Sequence, residues 1–298
     1  MTIQYKLHHV GLLVEDFDKS LAFYRDILGH QVTTRCQNRG QFNVAFVGVG
    51  SDATLELVGA PFLDYEQAFI DKHGYGMNHF AFEVEDADAA FEELKARGLP
   101  VAWEPRDVFL VRQCAFYDPD GILVEVFHHL DKETPLMPPY PNKKGELAFH
   151  HLDLLTEDWR RSQRFYEEHF GLKLVYEYID KEDHAFVFLV DPFFDFESHN
   201  FMIEIIGPPF EEEREHDFYR RVGVGIDHIA YVTDDVIGAW KRALDKGAQN
   251  FVDPYFAYGV NIAWIRDPDG NDIEIMDPIP EDLVKKVLET GEPFRTGR

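Results

Sequence analysis

The sequence predicts an α+β chain built from four copies of a βαβββ module, with two copies in each half. Three observations lead to this prediction: a long segment repeats between the halves, a tetrapeptide recurs near the end of each half, and each half divides again into similar units. The long segments begin at His8 and His150, and 10 of their 22 positions are identical without gaps. The tetrapeptide Asp-Pro-Asp-Gly stands at 118–121 and 267–270. Such repetition indicates duplication of one folded unit.

Each module reads in the same order along the chain. A short apolar strand carries one histidine near its start, and a helix follows that begins at an aspartate and ends at a glycine. Three strand-like segments complete the unit. The predicted N-caps are Asp16, Asp86, Asp158 and Asp234, and the closing glycines are Gly29, Gly98, Gly171 and Gly247. The four modules are expected at residues 5–60, 75–128, 147–207 and 224–277.

A length of 298 residues suits two domains of about 150 residues. We expect a first domain at 1–129 and a second at 146–277. The segment 130–145 is rich in Pro, Lys and Gly and is predicted to be the linker between them. Residues 278–298 are predicted to form a C-terminal tail with one short helix near Glu281 to Thr290.

Composition argues against several classes of partner. The net charge of −26, with no basic patch, speaks against a nucleic-acid partner. The sequence has no stretch of eighteen apolar residues, so it predicts no membrane span. The N-terminus lacks the pattern of a signal peptide. The chain has only two cysteines, Cys36 and Cys114. So low a cysteine content is typical of a reducing compartment, so a cytoplasmic location is expected. A small-molecule substrate is expected, and a homodimer is compatible with the sequence.

Histidine and glutamate recur at matched places in the four modules. The glutamates lie in the last strand of each module, at His-to-Glu separations of 47, 46, 53 and 46 residues by subtraction. Glu125 shares a strand face with Leu123 and Phe127, and a carboxylate on an apolar face needs a partner or a cation. The candidate metal ligands are His9, Glu56, His79, Glu125, His151, Glu204, His228 and Glu274. Imidazole with carboxylate suits Fe, Mn, Co, Ni or Zn rather than Ca.

Three kinds of segment recur in both halves: the HHVGLLVED and HHLDLLTED strands, the FYRDILG and FYEEHFG helix ends, and the stretches from Asp118 to Glu125 and from Asp267 to Glu274. With these segments the chain resembles the vicinal oxygen chelate superfamily, which includes glyoxalase I, sugar-ketone and methylmalonyl-CoA epimerases, extradiol dioxygenases and drug-resistance proteins. The resemblance covers the chain to about residue 277. It implies that paired modules form two curved, open mixed sheets, each holding one divalent metal, so up to two metal ions per chain.

The resemblance leaves the pairing of the modules open. If consecutive modules pair, the ligand sets are His9, Glu56, His79, Glu125 and His151, Glu204, His228, Glu274. If the first module pairs with the fourth and the second with the third, the sets are His9, Glu56, His228, Glu274 and His79, Glu125, His151, Glu204. The eight predicted ligands are the same in both arrangements.

Three functions compete. The favoured one is a metal-dependent lyase or isomerase, glyoxalase- or epimerase-like, that acts on a hydroxy-carbonyl substrate through a metal-bound enediolate. In this chemistry one of the catalytic candidates Glu56, Glu125, Glu204 and Glu274 leaves the metal and acts as the base. The first alternative is an Fe(II) extradiol ring-cleaving dioxygenase, although Ala115 and Trp264 stand where that family's signature has tyrosine. The second alternative is a metal-independent small-molecule binding or resistance protein.

Overall fold

The computed structural model describes residues 5–38, 42–48, 54–108, 111–130, 148–179, 185–192, 201–210, 213–257, 260–278 and 294–296. The first-half strands are β1 (Lys6–Leu13), β2 (Gln31–Asn38), β3 (Phe42–Gly48), β4 (Thr54–Gly59), β5 (Gly76–Glu83), β6 (Val101–Val108), β7 (Val111–Tyr117) and β8 (Leu123–His129). The later strands are β9 (Ala148–Leu155), β10 (Lys173–Ile179), β11 (Ala185–Val190), β12 (Met202–Gly207), β13 (Gly225–Val232), β14 (Gln249–Ala257), β15 (Val260–Arg266), β16 (Asp272–Met276) and β17 (Phe294–Thr296).

Three of the four module helices begin at the predicted aspartate caps, Asp16, Asp86 and Asp158. The four helices are α1 (Phe17–Ala22, continued by a π-helical turn at Phe23–Ile27), α3 (Ala87–Ala96), α4 (Trp159–Phe170) and α6 (Val236–Asp245). In α3 the Asp86 carboxylate accepts hydrogen bonds from the backbone N–H groups of Asp88 and Ala89. Buried residues recur at helical spacing along α3, from Ala87 through Ala90 and Phe91 to Leu94. This stripe packs the helix against its sheet.

The described strands form two open mixed sheets, which confirms the predicted fold class. The first sheet has the order β2-β3-β4-β1-β5-β8-β7-β6, and the second has the order β14-β15-β16-β13-β9-β12-β11-β10-β17. Each module contributes a block of four strands, and the first strands of two modules pair antiparallel at the centre, β1 with β5 and β9 with β13. Consecutive modules therefore pair, and the alternative pairing of first with fourth is wrong.

The two halves share one hydrophobic core. Phe82 of the first sheet stacks on Phe170 of α4 with ring centroids 4.6 Å apart. The Tyr24 hydroxyl donates to Asp267 Oδ2 at 2.8 Å, and the Tyr166 hydroxyl donates to Asp118 Oδ2 at 2.6 Å. Helix α1 therefore docks on the Asp-Pro-Asp-Gly turn of the second half, and α4 docks on the turn of the first half.

Some expectations differ from the structure. Helix α6 begins at Asp235 rather than Asp234, because the Asp235 side chain accepts the Gly238 N–H while its own N–H donates to the Thr233 hydroxyl. Two helices that the sequence reading did not assign, α2 (Asp64–His73) and α5 (Glu213–Arg221), stand between the modules of each half.

The predicted linker at 130–145, after its first residue, and the predicted helix near Glu281 to Thr290 lie outside the described residues. The proposed domain boundaries stay predictions. Among the residues with a described placement, no helix is long and apolar enough to cross a membrane.

Candidate metal centres

Register places the predicted histidines and glutamates of each half on one face of the sheet, which we name the ligand face. In every module the residue two positions after the histidine lies directly opposite the glutamate on the neighbouring parallel strand. The opposed pairs are Gly11–Glu56, Ala81–Glu125, Asp153–Glu204 and Ala230–Glu274. Side chains two apart on a strand, and side chains directly opposite each other, share a face. Antiparallel pairing of the two central strands then brings two such sets together.

In the first half, three of the four predicted ligands converge. Glu56 Oε2 lies 3.6 Å from His9 Nε2 and 3.3 Å from His79 Nε2. Both imidazoles are more than nine-tenths buried. Their Nε2 atoms have no hydrogen-bond partner among the residues the structure describes. Buried lone-pair donors that face a shared carboxylate fit a divalent ion.

Glu125, the fourth predicted ligand, stands back from this group. It lines a cavity of about 80 Å³ together with His9, Glu56 and His79. Within the described part of the chain Glu125 forms no ion pair with either histidine, and it is 7% exposed. Apolar side chains, among them Phe46 and Phe127, also line the cavity. The arrangement is therefore three clustered donors beside one separate buried carboxylate.

The electrostatics of the first centre follow from burial. Burial raises the pKa of Glu125 to about 7, and the nearby Glu56 carboxylate adds to the increase. Burial lowers the pKa of His9 well below its usual value, and the neighbouring His8 and His79 lower it further. Burial also lowers the pKa of His79, but contact with Glu56 and the charge of Glu125 outweigh it, so the net shift is upward.

In the second half, both glutamates reach both histidines. Glu204 Oε2 lies 2.8 Å from His151 Nε2, and Glu274 Oε2 lies 3.4 Å from the same atom. His228 Nε2 is 4.0 Å from Glu204 Oε2 and 3.6 Å from Glu274 Oε2. The two Nε2 atoms are 3.1 Å apart. His151, His228 and Glu274 therefore form a cluster of three donors, and Glu204 lies in contact with it through His151.

Four residues that the sequence reading missed hold the imidazole rings. His9 Nδ1 lies 2.8 Å from His8 Nδ1, and His151 Nδ1 lies 2.8 Å from His150 Nδ1. His79 Nδ1 lies 2.9 Å from Asn78 Oδ1, and His228 Nδ1 lies 3.0 Å from Asp227 Oδ2. Each of the four immediately precedes a predicted ligand. Neighbours on a regular strand point to opposite faces, so this contact was not foreseeable from alternation. Register shifts at these positions re-aim the preceding side chain.

The two centres differ in how they are covered. In the first half Ala115 lies opposite Glu125, whereas in the second half Trp264 lies opposite Glu274. The Trp264 ring stands edge-on to the His228 ring with centroids 4.8 Å apart, and it packs with Ile262 and Met276. The indole therefore fills space beside the second centre that an alanine leaves open beside the first.

The second centre is also more acidic. Asp153 occupies the position of Gly11, and its Oδ2 lies 3.5 Å from His228 Nδ1. Burial raises the pKa of Asp153 well above its usual value, although His228 opposes the shift. The first half has neutral residues at the positions of Asp153 and Asp227. His228 therefore has two carboxyl groups behind its ring, while His79 has an amide.

Comparison with known proteins agrees with the fold. The family model described as Glyoxalase/Bleomycin resistance protein/Dioxygenase superfamily matches residues 6–126 and 148–275. Lactoylglutathione lyase GLX1 of Arabidopsis thaliana is 23% identical over 266 residues, which cover 88% of this chain and 88% of that protein.

Two solved structures illustrate the likeness in three dimensions. The Mn(II)-bound glyoxalase from Novosphingobium aromaticivorans aligns with a TM-score of 0.68 at 18% identity, over 100% of this chain and 89% of its own. An extradiol ring-cleaving dioxygenase from B. fuscum aligns with a TM-score of 0.61 at 19% identity, over 99% of this chain and 76% of its own. At these identities the likeness shows the fold and leaves the reaction open.

Proposed function

Because the chain belongs to the glyoxalase/bleomycin resistance protein/dioxygenase superfamily, we propose that it is a divalent-metal-dependent lyase or isomerase, glyoxalase- or epimerase-like. Its substrate would be a small molecule with a carbonyl beside a hydroxyl-bearing carbon. One observation carries the proposal: in the first half a separate buried carboxylate, Glu125, faces the same cavity as a group of two histidines and Glu56. Proton transfer next to a carbonyl needs this division between holding groups and a base.

In this proposal His9, Glu56 and His79 hold the metal, which when bound supplies a positive charge that polarises the substrate carbonyl. Glu125 takes the proton from the adjacent carbon and returns it. A carboxylate in an apolar site binds a proton more strongly than one in water, so it is a better base near neutral pH. Phe46 and Phe127 keep water from the reacting carbon.

Gln113 is the group we assign to substrate orientation. It lines the same cavity, and its Oε1 atom is buried with no hydrogen-bond partner among the described residues. An acceptor left unpaired in a pocket is ready to accept a hydrogen bond from a substrate hydroxyl. The second half has Ile262 at the matching position of β15, which cannot serve this purpose.

The alternative with an observation in its favour is extradiol ring cleavage. Two histidines and one glutamate, as clustered in the first half, are the set that non-haem Fe(II) oxygenases use. Against it, the position that carries the dioxygenase tyrosine is Ala115 in the first half and Trp264 in the second. The lyase or isomerase is therefore preferred.

The decisive experiment measures C–H exchange. The metal-free chain is reloaded separately with Mn, Co, Ni, Zn or Fe(II), and proton exchange of α-hydroxy-carbonyl compounds, with lactoylglutathione in the panel, is followed in deuterated water without oxygen. We expect exchange that Glu125→Gln lowers by about 10²–10⁴-fold while the bound metal stays. The matched variant Glu274→Gln should keep the exchange, because Trp264 covers the second centre.

Other outcomes would redirect the assignment. Oxygen uptake with a catechol on the Fe(II)-loaded chain, without C–H exchange, would establish ring cleavage instead. Failure of every ion to bind or to raise the melting temperature would leave the metal-independent binding protein.

A further inference from the structure

The ligand face of the first sheet carries a second group of donors beside the first centre. His8 of β1, Glu83 of β5 and His129 of β8 each offer a ligand atom, and these atoms all lie within 4.8 Å of one another. We propose that His8, Glu83 and His129 form an additional divalent-metal site, separate from the centre at His9, Glu56 and His79. The site does not depend on the reaction proposed above.

Strand geometry explains why these residues meet. Glu83 lies four residues after His79, and His129 lies four residues after Glu125, so both stay on the ligand face. His8 reaches the same face through the register shift between Leu7 and His9. His129 Nε2 is 3.5 Å from Glu83 Oε1. The His8 ring stands edge-on to the His129 ring with centroids 6.1 Å apart.

The environment of the three side chains favours a bound cation. His8 is 6% exposed and His129 is 8% exposed, so both imidazoles are shielded from water. The Nδ1 atom of His129 has no hydrogen-bond partner in the described part of the chain. The Glu83 side chain is 33% exposed, which gives an ion a route from solvent. Two imidazoles and one carboxylate suit Zn, Co, Ni, Mn or Fe.

Two features set the expected strength of the site. Lys6 lies directly opposite Glu83 on the neighbouring strand, and its ammonium group disfavours a second cation nearby. The second half has Val232 and Pro278 at the positions of Glu83 and His129. At the matched positions, therefore, only the first half carries the glutamate and histidine of the additional site. Because of Lys6, we expect the additional site to bind metal more weakly than the centre at His9.

The two sites of the first half are coupled through one proton. His8 and His9 contact each other through their Nδ1 atoms at 2.8 Å, so one of these atoms carries the proton and the other accepts it. A neutral imidazole that binds metal through Nε2 carries its proton on Nδ1. If both rings bound metal through Nε2, two N–H groups would face each other at this distance. Occupation of one site therefore weakens the other.

The test is a Co(II) titration of the metal-free chain, followed by visible absorption and calorimetry. Wild type should bind one Co(II) beyond those held at the two predicted centres, and only at excess metal. Glu83→Gln and His129→Asn should each lose this ion, whereas the matched control Glu85→Gln, an exposed carboxylate two residues away, should keep it. Circular dichroism melts establish that each variant is folded. Titrations of Glu83→Gln and His129→Asn that match wild type would overturn the proposal.

A second variant tests the coupling. His79→Ala, which weakens the centre at His9, should tighten the additional site by roughly tenfold. Unchanged or weaker binding there would contradict the shared proton.

The result also separates this site from the proposed function. A single Co(II) that Glu83→Gln abolishes, with no other ion bound, would refute the metalloenzyme and leave this site standing. If two ions bind, Glu83→Gln leaves both in place, and no further ion binds at excess metal, the additional site is refuted and the metalloenzyme proposal stands.

Discussion

At the scale of single residues, the first centre depends on the absence of a side chain. Gly11 lies between Glu56 and His79 in the sheet, opposite both of them. A Cβ atom added at Gly11 would stand 1.9 Å from His79 Cε1. The glycine is required by this close approach of the imidazole.

Gly11→Ala is expected to displace the His79 ring and to empty the first centre. Metal content should fall by one ion per chain, and exchange activity should fall at least as much as when a supporting contact of a metal ligand is removed, about 10–100-fold. Metal analysis and the exchange assay measure the two effects.

The second half supplies a control for this variant. Asp153 stands at the matching position and already has a Cβ atom there, so Asp153→Ala should keep the metal of the first centre and the activity. Full metal content in Gly11→Ala would show that the ring has room the structure does not display.

The residues that immediately precede the four histidines are the second feature at the scale of single residues. His8, Asn78, His150 and Asp227 each sit at a register shift, and each contacts the Nδ1 atom of the following histidine. Fixing Nδ1 turns Nε2 toward the centre, which is how supporting residues orient imidazole ligands in metal sites. A simple alternation of faces would have sent these four side chains to the other side of the sheet.

At the scale of elements, the Asp-Pro-Asp-Gly turns join the halves. In each turn the first aspartate accepts two backbone N–H groups of its own loop and one tyrosine hydroxyl from the other half. The second aspartate accepts a serine hydroxyl from the same helix, Ser162 on Asp120 and Ser20 on Asp269, both at 2.6 Å. Motifs first noted as family markers therefore form the interface between the halves.

These turns should make stability depend on pH. Burial raises the pKa of Asp118 to about 7, although the hydrogen bond from Tyr166 opposes the shift. Burial raises the pKa of Asp267 to about 6, although hydrogen bonds from Asn271 and then Tyr24 oppose it. An unfolded aspartate titrates near pH 4. Between about pH 4 and 7 the folded chain therefore holds more protons than the unfolded chain, and stability falls as pH rises through this window.

Urea unfolding of wild type and Asp118→Asn at pH 5 and pH 8 tests this. Wild type should lose on the order of a few kcal/mol more stability than the variant between the two values. The comparison removes the general repulsion of a chain with net charge −26, which both proteins share. An identical pH dependence in the two proteins would show that the Asp118 carboxyl stays ionised throughout.

At the scale of the whole molecule, duplication has produced two unequal centres on one core. The first has a cavity, the unpaired Oε1 of Gln113, and Ala115 opposite Glu125. The second has Trp264 against His228 and two further carboxyl groups, of Asp153 and Asp227, behind that ring. An acidic side chain that contacts the back of a ligand imidazole makes that ring a stronger donor and reduces the positive charge that the metal offers to a substrate. We therefore expect the second centre to hold metal tightly without turnover.

His228→Ala should remove one metal ion per chain and leave most of the exchange activity, whereas His79→Ala should remove one ion and nearly all the activity. Metal analysis paired with the exchange assay distinguishes the two losses. The thermal midpoint should fall in both variants, since each loses an ion that binds the folded state. Loss of activity in His228→Ala with activity retained in His79→Ala would place turnover in the second half.

The sequence by itself determined the four modules, three of their four helix caps and the matched places of eight histidines and glutamates, because these follow from local periodicity and from repetition within the chain. The sequence could also predict that His9 and Glu56 lie on the same face of the sheet, since alternation along a strand is a local property. Only the tertiary structure decided that consecutive modules pair, that Glu125 stands apart from the other three candidate ligands of its half, that His8 turns to the side of His9, and that Trp264 packs against one candidate centre. Each of these depends on cross-strand register and on packing between residues far apart in the chain, and strand register shifts by one residue without any change in the local pattern.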